Sequence, residues 1–108
     1  MICREISSFV ATDADVNATS TATKAAPFGG LSTYVTSVSG GYSAAAAGKT
    51  LILKEGSTEV GRWYVHDSFS LSFSSPIKLS PGTVANLELE ASGTGGVTGA
   101  VTLTGYTV

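Results

Sequence analysis

In two stretches of this chain every second residue is apolar, a spacing that fits an extended backbone and not a helix. Phe69, Leu71 and Phe73 alternate with serines, and Ala85, Leu87, Leu89 and Ala91 alternate with Asn86, Glu88 and Glu90. Residues two apart share one face of a strand, whereas a helix would spread them around its circumference. Each stretch therefore reads as a strand with one dry and one wet face. The run that holds them, Glu59 to Ala91, also contains the only Trp, the only His, two of the four Phe and two of the three Pro.

The rest of the chain divides into similar short elements. Ile2 to Ala11 reads as a first strand, with Ile6, Phe9 and Val10 as its apolar side. Thr12 to Ala26 is small and polar, and is expected to be a long loop, an extended arm, or a weak strand near Asp15 to Thr19. If the N-terminal segment is an arm, deleting Ile2 to Ala26 should leave a folded core. Leu31 to Ser39 is rich in β-branched and aromatic residues and reads as a strand, with a turn at Gly40 and Gly41. Tyr42 to Gly48 holds four alanines, which favour helix, yet the run is too short to hold one unaided. Thr50 to Glu55 and Glu59 to His66 form a hairpin around Gly56, Ser57 and Thr58. Ser68 to Ser74, a short Pro76 to Leu79 element, Thr83 to Ala91 and Val97 to Val108 complete the set, with a glycine-rich loop at Ser92 to Gly96. The expected fold is all-β: a two-sheet antiparallel sandwich, jelly-roll-like, of seven or eight strands. It is expected to form one domain, with residues 1–30 as a strand and an extended arm or loop and residues 31–108 as the core.

Charge narrows the function classes. Charged residues make up 13% of the 108 residues, against about 25% in an average soluble domain. A surface so sparsely charged is weakly hydrated, and the expectation is that part of it is buried against other copies or another protein. The formal net charge is −2 with six scattered Lys and Arg, which does not supply the basic cluster that nucleic acid needs. No apolar run approaches the roughly 20 residues of a membrane helix. The single cysteine, Cys3, cannot close an internal disulfide. The start, MICREISSFV, lacks the apolar core of a secretory signal, so synthesis in a cytoplasm is expected.

No constellation of catalytic residues stands out, and no enzyme, metal or cofactor is expected. His66 neighbours Asp67, but adjacent strand residues face opposite ways, which misplaces the acid for orienting the imidazole. Asp13, Asp15 and Asn17 resemble the opening of a calcium loop, but Ala18 and Lys24 stand where that loop needs Gly and Glu. Glu88 and Glu90 lie on one strand face about 7 Å apart, as a solvated pair or, in principle, as a hydrolytic one. Gly93, Gly95, Gly96 and Gly99 lack the spacing of a phosphate loop and read as a flexible tip. Of Trp63 and Tyr64 one should face the core, with Trp63 favoured; the outward ring is either a sugar platform or an interface anchor.

Across Leu31 to Val108 the order of segments resembles small virion proteins of tailed bacteriophages. A strand around Leu31 to Gly41 is followed by an Ala-rich link, then KTLILKEGSTEVGRW, FSLSFSSPIKLSPGT, LELEASGTGG and VTLTGYTV. The N-terminal VATDADVNATSTATKAAPFGGL fits the same type, and Pro76 to Thr83 followed by an alternating strand is similar to jelly-roll modules that form trimers. The resemblance implies a capsid decoration or cement protein, or a minor tail or neck component, located in the virion. Its partners would be further copies of itself, as a small oligomer such as a trimer, and the major capsid or another virion protein. The residues expected at interfaces are Phe9, Val16, Phe28, Tyr34, Tyr42, Tyr64 and Tyr106. A carbohydrate-binding module is the alternative.

Overall fold

The computed structural model describes residues 7–46 and 48–108. They form β1 (Ser7–Val16), β2 (Ser20–Lys24), β3 (Thr33–Tyr42), β4 (Lys49–Glu55), β5 (Thr58–Val65), β6 (Ser68–Lys78), β7 (Ala85–Leu89) and β8 (Thr98–Thr107). Antiparallel pairing joins β1 to β8, β2 to β7, β3 to β6 and β4 to β5. Further pairs, β3 with β8 and β4 with β7, gather them into two four-stranded sheets, β1-β8-β3-β6 and β2-β7-β4-β5. First strand with last, second with second-last, and so on inward, is the winding of a jelly roll. The expected two-sheet sandwich is thus the fold that forms, with eight strands.

The central strands supply the core. Val35, Val38, Val101 and Leu103 from one sheet meet Leu51, Leu53, Leu87 and Leu89 from the other, and none is more than 1% exposed. Each such burial is worth about 1.5–3 kcal/mol. The alternation of Ala85, Leu87 and Leu89 is the inward face of β7. At one open side of the sandwich Phe69, Leu71 and Phe73 of β6 are half-buried, and the Trp63 ring of β5 lies 5.7 Å from that of Phe73. Trp63 therefore faces inward and Tyr64 outward.

The N-terminal third departs from the expected loop or arm. β1 runs on to Val16, the chain turns at Asn17 with φ 47°, and β2 begins at Ser20. β1 pairs with β8 over ten residues and Ala22 of β2 is wholly buried, so residues 7–24 are part of the sandwich. Its removal would strip an edge strand from each sheet. The hydrophobic pattern hid this, because β1 turns Asp13 and Asp15 inward and Val10 and Val16 outward. The segment from Ile2 to Ile6 and Ala47 lie outside the described residues.

Three smaller differences have local causes. Gly40 and Gly41 are not a turn but the end of β3, where a Cβ on Gly40 would strike the Ala100 carbonyl and the Phe69 ring. Ser68 to Lys78 is one strand, with an irregularity opposite Thr36 that absorbs Pro76, a residue with no N–H to give a ladder. The β4–β5 connection is shorter than expected, Gly56 and Ser57 only, with Gly56 at φ 61°.

Candidate functional site

The residues with chemical potential are each engaged in holding the fold. His66 accepts a hydrogen bond through Nδ1 from the Gly48 N–H at 3.2 Å, and Asp67 accepts one from the Ala46 N–H at 2.9 Å. Both thereby fasten the β3–β4 connection to the β5–β6 turn. Glu88 pairs with Lys54 at 3.0 Å. Glu90 accepts from the N–H and hydroxyl of Thr50 at 3.0 and 3.1 Å, which hold its carboxyl below the ordinary range. The two glutamates are thus committed to different partners.

Asp13 and Asp15 sit side by side on the inward face of β1. Asp13 Oδ2 accepts from the Thr21 N–H at 2.9 Å, which ties β1 to β2 across the edge of the sandwich and holds Asp13 low. The hydrogen bond to Asp13 holds Asp15 above its ordinary value, with burial and the neighbouring charge adding to it. No group of three or more His, Cys, Asp or Glu gathers into a metal-holding cluster among the described residues. Gly93 and Gly96 take φ of 78° and 80° in the β7–β8 loop, which Ser92 closes by donating to the Thr94 and Val97 carbonyls.

The seven residues expected at interfaces fall into two sets. Phe9 and Tyr42 serve the interior. The Phe9 ring reaches over Gly105 and carries the Lys24 ammonium 5.6 Å from its centroid. Tyr42 covers Gly99 with its ring and donates its hydroxyl to the Glu90 carbonyl at 2.6 Å; burial and the nearby Glu90 charge push its pKa up to about 12. The other five face outward. Val16, Phe28 and Tyr64 are 60%, 91% and 74% exposed. Tyr34 and Tyr106 stack on the outside of their sheet, their centroids 5.1 Å apart and their rings nearly parallel. Val10, read from the sequence as part of the apolar side of its strand, is 68% exposed.

Phe28 sits at the end of the sandwich where Ser32 and Val108 exchange backbone hydrogen bonds. It borders a shallow pocket of about 360 Å³ that also involves Lys24, Pro27, Leu31 and Thr107. The stacked tyrosines lie at the same end, next to Ser8 on one side and Lys78 on the other.

The two outer faces differ in charge. On the β2-β7-β4-β5 sheet, Lys54, Glu88, Arg62 and Glu59 project outward and pair, Lys54 with Glu88 and Arg62 with Glu59 at 2.7 Å. On the β1-β8-β3-β6 sheet the register places outward-facing residues in cross-strand rows. Below the tyrosine row come Val10, Thr104, Ser37 and Ser72, then Thr12, Thr102, Ser39 and Ser70. Ala14, Ala100, Gly41 and Ser68 follow, and Val16 with Thr98 ends the series. Lys78 is the only charged residue in these rows.

Compared with known proteins, the chain matches no protein-family model, no curated protein and no solved structure.

Proposed function

We propose that this chain is a structural protein of a tailed-bacteriophage virion, a capsid decoration or cement protein that acts through protein–protein contacts. The observation that supports this reading is the projection of large apolar side chains from a closed core. Phe28, at 91% exposure, leaves unused most of the roughly 1.5–3 kcal/mol that burying such a ring returns. A ring left in water beside Pro27 and Leu31 is an anchor suited to a pocket on a larger surface. The jelly roll supplies the rigid support, and repetition on a symmetric shell converts weak single contacts into firm attachment through avidity.

The test is to quantify this chain per major capsid protein in purified particles by mass spectrometry and to locate it by electron microscopy. Hundreds of copies over the shell support decoration; a few at one vertex move it to the neck or tail; absence from washed particles refutes the reading. Phe28→Asp should abolish particle binding without lowering the melting temperature of the free protein.

A second reading has one specific observation in its favour. Tyr64 is 74% exposed, and Arg62, paired with Glu59, stands two residues away on the same face. An aromatic ring flanked by polar groups is the arrangement a sugar-binding platform uses. Titration with host polysaccharides, followed by Tyr64→Ala, separates this from the structural role.

A further inference from the structure

We infer that the outer face of the β1-β8-β3-β6 sheet is the self-association surface of this protein, where two copies pack face to face about a two-fold axis. This deepens the assembly reading in one respect, self-association, and it can fail while that reading stands.

The first argument is charge. An isologous interface sets each patch against its own copy, so any charge near the axis meets its like, and like charges there oppose association. The opposite outer face carries Lys54, Glu59, Arg62 and Glu88 and would suffer this. Among the described residues the face in question carries Lys78 alone, at its corner. With the axis along the strands, Lys78 comes opposite Ser8 of the partner subunit. With the axis across them, it comes opposite Ser68 of the partner subunit. In neither arrangement does it meet itself.

The second argument is shape and area. Near the middle of the face the side chains are Ser, Thr, Ala and Gly, short enough for two sheets to approach at the roughly 10 Å of a sandwich interior. Four strands of ten or eleven residues, at about 4.8 Å between strands and 3.3 Å per residue, present about 600 Å² per copy. Two copies would bury about 1,200 Å², above the ~1,000 Å² that a specific interface requires. Val10 and Val16, 68% and 60% exposed, and the stacked Tyr34 and Tyr106 lie within this area and would be covered. Hydroxyl rows on both sides supply interchangeable donors and acceptors. An interface of this size lies at the low end of specific interfaces, and the dimer should be reversible.

The experiment is sedimentation equilibrium of the full chain at several concentrations, with Thr102 as the probe because it lies between Thr12 and Ser39 near the centre of the face. Wild type should dimerise reversibly. Thr102→Lys and Thr102→Glu should each weaken the dimer at least about tenfold through like-charge opposition. An equimolar mixture of the two should regain a dimer, a rescue that a misfolded variant cannot show. Thr23→Lys, on the other sheet, should leave the dimer unchanged. A monomer at all concentrations, a trimer, or a dimer indifferent to Thr102→Lys would overturn the inference. Particle binding is measured separately: a wild type that binds particles while staying monomeric refutes the self-association surface and leaves the structural role intact.

Discussion

Thr33 and Ser20 pose one problem with two answers. Both are wholly buried polar side chains in the sandwich. The Ser20 hydroxyl donates to the Gly99 carbonyl at 2.8 Å. The Thr33 hydroxyl has no partner among the described residues. A buried hydroxyl without a partner costs about 1–3 kcal/mol, while a satisfied one contributes about 1 kcal/mol. Thr33→Val keeps the volume and the branching at Cβ that suits a strand and deletes the unpaired group. It should stabilise the protein by about 1–2 kcal/mol, or raise the melting temperature by about 5–10 °C for a domain of this size. Ser20→Ala removes a bond and should cost about 1 kcal/mol. Urea unfolding at pH 7, followed by Trp63 fluorescence and circular dichroism, measures both as shifts in midpoint at constant slope. If Thr33→Val is neutral or destabilising, the hydroxyl has a partner, such as an internal water, and the accounting of the core is wrong.

Gly105→Ala should destabilise by about 3 kcal/mol or more, because its Cβ would strike the Tyr34 carbonyl and crowd Phe9, whereas Gly95→Ala, with nothing within 4 Å, should be within about 0.5 kcal/mol of wild type; thermal melts of the pair decide it. In an alkaline spectrophotometric titration one tyrosine should ionise last, near pH 12, and Tyr42→Phe should remove that step; its survival in the variant would misassign the group. Stability should fall on acidification. Asp13, Glu55, Glu59 and Glu90 are held low, chiefly by Thr21, Ser80, Arg62 and Thr50 respectively, so what they contribute is present above the ordinary carboxylate range and lost as pH drops through their depressed values. Asp15, held high by Asp13, acts in the opposite sense, its contribution being lost as pH rises; melts from pH 7 to about pH 2.5 that showed a constant or rising midpoint would contradict the balance of four against one. Deleting residues 2–26 should leave an unfolded chain by circular dichroism, since β8 and β7 would lose their edge partners; a cooperative melt of the truncated protein would show that the arm reading was right after all.

How much of this fold is legible in the sequence depends on where a strand sits in the sandwich. β7 and β8 are central and meet the core squarely, so their inward residues alternate cleanly, and both are read at nearly their observed bounds. β1 is an edge strand whose inward face mixes Phe9 and Ala11 with Asp13 and Asp15, and Asp13 closes against β2 by a hydrogen bond. Its apolar residues split between the two faces, and a search for period two in hydrophobicity finds nothing there. Gly40 and Gly41 misled for a related reason: adjacent glycines commonly mark turns, but here Gly40 makes room for Ala100 and Phe69, a requirement set by residues about thirty and sixty positions away. The inward ring of Trp63 was readable, because Val65 and Gly61 share its face and Arg62 and Tyr64 cannot both turn in.

The candidate surface is a different case, since it exists only once strand order is known. Along each strand taken alone, the outward residues of β1, β3, β6 and β8 are mostly serines, threonines and alanines, with Val10, Val16, Tyr34, Tyr106 and Lys78 scattered among them. They become a surface when the winding brings β1 beside β8, β8 beside β3 and β3 beside β6, strands from both ends and the middle of the sequence. The low charge content visible in the composition is an average over the chain. Among the described residues the fold resolves it into one face with paired ions and one with a single lysine at its corner. That partition is the physical content behind the expectation of a covered surface: among the described residues the paired charges lie on the opposite face, and Lys78 at the corner is all that falls on the side a second copy would cover.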